Sequence, residues 1–184
     1  MSLPDIRIET ARLVLRPPRE GDFDGFARLM ADEATARFIG GVQPRSVAWR
    51  SFLALAGAWM IQGFGMFSVL EKDSGRWLGR IGPWHPEGWP GTEVGWGMLR
   101  EAQGRGYATE AADASIDYAF SELGWADVVH IIHPDNRPSM NVAARIGSRA
   151  WRPCRMPAPY ADEPAQLWGQ TREQWLARRH AGGG

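Results

Sequence analysis

The sequence predicts an α/β fold, a single layered domain in which helices cover a mixed β-sheet. Three observations carry this. Apolar residues recur at helical spacing up to Gly63 and alternate from Met66 onward. Strand-like residues 92–99 run into two glycines and then an alanine-rich helical stripe. A short apolar run, residues 128–132, suits a buried strand and is followed by a proline-opened helix.

Taken in order, Ile6, Ile8 and Leu13, Val14, Leu15 open the chain as strand, stopped by Pro17-Pro18. Asp22 is placed to cap a first helix over about 22–32, with Phe23, Phe26, Ala27 and Met30 at helical spacing. A loop over 32–44, with Gly40-Gly41 and Pro44, leads to a second helix capped by Ser46. Its Ala48, Phe52, Leu55 and Trp59 share one face, and Gly63 ends it. Residues 66–70 and 77–81 form a hairpin around Asp73-Ser74-Gly75. Residues 83–91, rich in Pro and Trp, read as loop. The helix after Gly106 ends at Gly124, and the one opened by Pro138 has Val142 and Ile146 inward and Gly147 past its end. Trp151 and residues 167–171 are further strand expectations. Thr171 and Gln174 resemble a capping box for a last helix ending at Arg179. The domain is read as residues 1–179, with 180–184 as a disordered tail.

Composition bounds the function. The 184 residues suit one domain with a core that buries roughly 70% of the unfolded surface. Twenty-one Lys and Arg balance 21 Asp and Glu, so the basic excess of a nucleic-acid binder is missing. One cysteine excludes an internal disulfide and a Cys-based zinc site. No apolar run approaches the roughly 20 residues of a membrane span, and the first nine residues lack a signal core. The expectation is a cytoplasmic protein with neither nucleic-acid nor membrane partners.

The chemistry concentrates after the strand at 92–99. Gln103, Gly104, Arg105, Gly106, Tyr107 and Ala108 lead directly into a helix. Glycines there let the main chain approach a ligand, and a helix start offers unpaired N–H donors and partial positive charge. Strand, glycine turn and helix together make an anion cradle. The other account of the glycines is a turn needing positive φ. The dinucleotide fingerprint fails because Thr109 stands where a third glycine belongs. No Gly-Lys-Ser/Thr and no Gly-x-Ser-x-Gly occurs.

Q-x-x-G-x-A between a strand and an Ala-rich helix resembles motif A of the GNAT superfamily of acyl-CoA-dependent N-acetyltransferases. The likeness extends over nearly the whole chain. Residues 10–16, Asp22, residues 37–41, Asn136 with Ser139 and Gly147, and residues 167–175 are similar to the Rim-type, ribosomal-protein N-acetyltransferase-like branch. The resemblance implies a twisted mixed sheet with a splayed centre and helices on both faces. It implies acetyl-CoA as co-substrate, no metal, and an amine acceptor, either a protein N-terminus or a small molecule. It implies that the main chain of Gln103 to Ala108 holds the coenzyme pyrophosphate, and that Met98, Leu99 and Arg100 end a strand splayed from residues 128–132, with pantetheine in the wedge. Asn136 would meet pantetheine or the reacting centre, and Ser139 matches a general acid. Many relatives pair as homodimers, so a homodimer is a further expectation.

An amine attacks a thioester only as the free base, so a proton acceptor is required. Glu93, on the strand entering the cradle, is the first candidate; an exposed residue in a cross-strand ion pair is the other account of it. Ser139 could alternatively satisfy backbone donors in a helix first turn. His130 and His133 would face opposite ways on a strand, which argues against a shared metal. His85 belongs to a loop, and Trp84, Trp89 and Trp96 would line an acceptor pocket or simply be core. Arg145 reads as a helix surface charge or a phosphate contact, and Cys154 as structural. Ser148 stands where relatives carry an aromatic, a volume Trp151 is expected to fill. No tyrosine occurs between Asn136 and Gly147. That departure keeps open a non-catalytic acyl-CoA-binding sensor or interaction module; a nucleotide-dependent enzyme using the same cradle is the third reading.

Overall fold

A computed structural model describes residues 3–181. Eight strands form one sheet in the order β1-β2-β3-β4-β5-β6-β8-β7. They are β1 (Ile8–Glu9), β2 (Leu13–Arg16), β3 (Phe67–Glu71), β4 (Trp77–Trp84), β5 (Glu93–Met98), β6 (Asp127–Ile132), β7 (Arg149–Cys154) and β8 (Ala165–Thr171). Every neighbouring pair is antiparallel except β5 with β6, which makes the sheet mixed. Six α-helices accompany it among the described residues: α1 (Phe23–Ala31), α2 (Glu33–Ala36), α3 (Arg45–Gln62), α4 (Tyr107–Ser121), α5 (Arg137–Arg145) and α6 (Arg172–Ala181).

Strand alternation sorts β4 and β5 onto two faces. Arg80 lies opposite Gly97, and Trp84 opposite Glu93. This face looks toward α1, because a Cβ at Gly97 would stand 3.5 Å from Leu29. The other face, with Ile81 and Val94, joins the core that α4 completes through Ala111, Ala112 and Ile116. A smaller core couples α1 to α3 through Phe26, Met30, Ala48, Phe52 and Leu55.

Several local expectations change. Asp22 does not cap the first helix through its side chain; it accepts two bonds from Arg16, at 2.7 and 2.8 Å, one from Ser68 at 2.7 Å, and one from Arg19 N–H at 2.8 Å at the head of the preceding 3₁₀ turn. A nearly buried guanidinium claims a carboxylate ahead of a helix end. The second helix starts two residues earlier than a cap at Ser46 implies, with Pro44 at its cap. The expected loop over 32–44 contains α2, which Asp32 caps by accepting from Thr35 N–H at 2.9 Å. β4 runs on to Trp84 because Pro83 and Trp84 stay in register with Val94 and Glu93. The Thr171–Gln174 capping box forms reciprocally, at 3.0 and 3.2 Å. Its helix continues past Arg179, so His180 and Ala181 are helical rather than tail; the remaining tail residues, 182–184, lie outside the described residues.

Candidate functional site

The splayed centre lies between β5 and β6. The strands pair at a single position, Glu93 opposite Val129, where Val129 N–H donates to Thr92 O at 2.9 Å. Beyond it, side chains span the gap. Glu93 Oε1 accepts from Ile131 N–H at 3.2 Å, and His130 Nδ1–H donates to Val94 O at 2.7 Å. The wedge opens without stranding these two buried main-chain groups.

Glu93 is not the exposed partner of a cross-strand ion pair. Only 7% of it is exposed, and its Oε2 accepts from Trp89 Nε1–H at 2.7 Å. Burial pushes its carboxyl up to about 7, against the pull of the Trp89 and Ile131 bonds and the Arg80 charge. Glycine at 95 makes room: a Cβ there would sit 3.2 Å from Glu93 Oε1 and 2.9 Å from Met66 Cε. A cleft of about 750 Å³ opens from this point. Trp84, Trp89 and Trp96 all line it, as do Asn136 and Ser139 from the start of α5. His85 is exposed and stands outside the lining.

Past the wedge, β5 ends at Met98, and Arg100 belongs to a 3₁₀ turn, Arg100–Ala102, rather than to the strand. Met98 and Leu99 are buried, and Leu99 N–H is taken by Leu78 O at 2.9 Å. The Arg100 guanidinium is held by Asp32 at 3.0 and 3.2 Å, which lowers the Asp32 carboxyl to about 2. The Gln103 side chain turns back to Met98 O at 3.0 Å, and Tyr107 is buried with its hydroxyl donating to Glu71 at 2.7 Å. What residues 103–108 offer a ligand is therefore main chain together with the exposed Arg105 guanidinium, which lies over the Tyr107 ring. Gly104 and Gly106 take φ of +72° and +81°, so the turn account of the glycines also holds. Among the described residues, the N–H groups of Gly104, Arg105 and Gly106 meet no protein acceptor. Arg12 braces this loop, donating to Arg105 O at 3.0 Å and to Glu110 at 2.7 Å.

Asn136 caps α5, its Oδ1 accepting from Ser139 N–H at 3.2 Å. Ser139 does not cap the backbone; its Oγ accepts from Trp96 Nε1–H at 3.2 Å, which leaves its own proton free to be donated elsewhere. Behind Trp96 lies a buried polar chain that the sequence did not announce. Gln170 Nε2–H donates to Ser148 Oγ at 3.0 Å, and Ser148 O–H donates to His130 Nε2 at 2.8 Å. The carbonyl on Nδ1 fixes this tautomer. Burial pulls the imidazole down to about 4, with the Val94 bond opposing. Ser148 is thus the middle of a buried hydrogen-bond relay. Trp151 does not fill that volume; it is 43% exposed on β7 and covers Gly169. His133 lies beyond the end of β6, so strand alternation does not govern it; its ring packs on Phe38 with centroids 5.1 Å apart. Among the described residues no three His, Cys, Asp or Glu side chains cluster to hold a metal. Arg145 is exposed, and burial pushes the Cys154 thiol up.

Arg80 escaped the sequence reading. The available signal was a cation at a strand position, Gly79-Arg80-Ile81-Gly82, whose neighbours all read as buried. It lines the cleft on the face that carries Glu93.

The acetyltransferase (GNAT) domain family matches residues 12–149, three quarters of the chain. The chain belongs to the GNAT acetyltransferase family. It is 34% identical over 83 residues to the uncharacterized N-acetyltransferase YnaD of Bacillus subtilis, covering 45% of this chain and 49% of that protein. To the uncharacterized protein YkkB of the same organism it is 36% identical over 87 residues, 46% of this chain and 51% of that protein. The chain thus spans about half the length of these curated relatives. An acetyltransferase structure from Agrobacterium tumefaciens superposes with a TM-score of 0.81 at 30% identity, covering 94% of this chain and 98% of that one. Mycobacterium smegmatis RimJ, solved with CoA-disulfide, shares the fold at 21% identity and a TM-score of 0.67, over 92% of this chain and 89% of its own.

Proposed function

We propose that the protein transfers an acetyl group from acetyl-CoA to a primary amine bound in the cleft. The observation that carries this is the alignment of three features along β5: an unpaired N–H loop at its end, a parted edge beside it, and a buried carboxyl at its start. The free N–H groups of Gly104, Arg105 and Gly106 suit a diphosphate. The gap between β5 and β6 suits an extended pantetheine arm. Glu93 then stands where an acceptor amine meets the thioester.

A carboxyl near 7 is matched to this task. An α-amine has a pKa of about 7.7–8.0, so Glu93 takes its proton with little energetic mismatch; a lysine amine at about 10.4 is a poorer match. As the carbon–sulfur bond breaks, the departing thiolate needs a proton. Ser139 supplies it in this reading, with its oxygen already held by Trp96. Asn136 lines the cleft with its Oδ1 taken by Ser139 N–H, and in this reading its amide meets pantetheine or the reacting centre.

The test is a thiol-release assay with acetyl-CoA against amines and N-terminal peptides, run beside calorimetry of acetyl-CoA binding. Saturable binding with acceptor-dependent thiol release is expected. No binding by well-folded protein would overturn the reading, and binding without release under any acceptor would favour a sensor.

A further inference from the structure

Arg80 is a cation without an anion. It extends from β4 on the face that also carries Glu93, Gly95 and Gly97. Its Nη1 donates to the Met66 sulfur, a weak acceptor, and its buried Nε finds no partner. It forms no ion pair among the described residues; Glu93 is the nearby acid, felt only through space. The ionisable groups that act on it are the Glu93 carboxyl, from β5, and the Tyr160 hydroxyl, which overhangs Gly40, while Arg37 and Glu163 line the same cleft. Burial draws the guanidinium pKa down, yet arginine keeps its proton. A charge so placed is costly unless something pairs it.

From this unpaired guanidinium, its exposure to the cleft and its place beside Glu93, we infer that Arg80 binds an acidic group on the acceptor. The acceptor is then a small amine carrying a carboxylate or phosphonate, of amino-acid size. The inference rests on the acetyl-transfer reading of the same cleft. Gly95 and Gly97 supply the floor between the two groups. A Cβ at Gly95 would touch Glu93 Oε1, and one at Gly97 would come 3.9 Å from Arg80 Cγ. Gly97, the partner of Arg80, lies four residues along β5 from Glu93, roughly 13 Å of strand. The two side chains shorten that gap, Glu93 Oε1 lying over Gly95 and Arg80 Cγ over Gly97. An amine can then face Glu93 while an acid on the same small molecule reaches the guanidinium fork, which suits carboxylate and phosphonate geometry. No covalent step involves Arg80; it orients the acceptor and sets its class.

The experiment compares matched pairs on the full chain: amino acids with their amides, aminoalkylphosphonates with aminoalkanes, and peptides bearing an acidic or a neutral second residue. Initial rates give the acid-to-neutral ratio of kcat/KM. Quenching of the cleft tryptophans by the corresponding N-acetylated acids and amides reads binding without turnover. Acids are expected to bind at least tenfold tighter than their neutral partners. Arg80→Met should erase that ratio, chiefly through KM, and Arg80→Lys, the milder change, should keep part of it. Preference confined to the acidic peptides, acids binding no tighter than amides in any pair, or Arg80→Met weakening both members equally, would each overturn the inference. Acetyl-CoA calorimetry on the same samples reports separately on acetyl transfer, so loss of coenzyme binding indicts that reading and leaves the quenching comparison standing.

Discussion

Glu93→Gln separates a proton acceptor from a structural brace, because the two roles respond differently to pH. With a carboxyl near 7, about a tenth of Glu93 is ionised at pH 6 and about nine tenths at pH 8. Wild-type kcat/KM should therefore climb about tenfold across that interval, with a midpoint that stays put when acceptors of different amine pKa are exchanged. The amide cannot take the proton, so kcat should fall about 10²- to 10³-fold and the limb assigned to the enzyme should vanish. Stability moves the other way. The folded value lies above the unfolded carboxyl near 4.5, so the fold loses stability as pH rises from about 4.5 through 7. The upper limit of that loss is about 3 kcal/mol. Glutamine escapes it, but it has one acceptor oxygen for the two donors of Trp89 and Ile131, a cost of about 1–3 kcal/mol. The variant should thus unfold more easily than wild type at pH 5 and approach or exceed it at pH 8.5. Stopped-time thiol release and urea melts at both pH values measure these effects. A variant that keeps full rate and an unchanged pH profile refutes the role of Glu93 as base.

Gly104→Ala places a methyl in open space at a φ of +72°, so it should cost only about 1 kcal/mol of stability. It should nevertheless weaken acetyl-CoA binding about tenfold or more by calorimetry, since the methyl crowds the free N–H groups. Ser139→Ala should lower kcat about tenfold or more with KM for acetyl-CoA nearly unchanged, and unchanged turnover would show that proton delivery goes elsewhere. His130 has a folded pKa near 4, below the unfolded 6.5. Its contribution is complete above about 6.5 and is lost as pH falls toward 4, by at most about 3 kcal/mol. The stability gap between wild type and His130→Gln in urea should therefore be narrower at pH 5 than at pH 7.5.

The legible parts of the fold were those that local chemistry decides. Gly63 ends its helix through a left-handed φ of +77°, the Thr171–Gln174 box starts one with its own bonds, and the faces of α3 and α4 follow from spacing. Residues 103–108 were readable because strand, glycines and helix start are consecutive in the chain. Glu93 was findable as a carboxylate entering that loop, though its burial was not, since Trp89 and Ile131 reach it through tertiary packing. Asp22 misled because Arg16 on β2 and Ser68 on β3 outbid a helix end. The His130–Ser148–Gln170 chain draws on β6, the turn after α5, and β8, and no pattern along the sequence connects them. Arg80 hides for the same reason: its lack of a counter-charge is a property of the assembled cleft.

The parted edge of the sheet is laced by its own side chains, one acid and one imidazole, before any substrate arrives. If acetyl-CoA is the ligand, as proposed, its entry need not pry the strands apart or rescue stranded amides. Association should proceed into a seam already set ajar, with its on-rate governed by diffusion and charge rather than by a prior opening step.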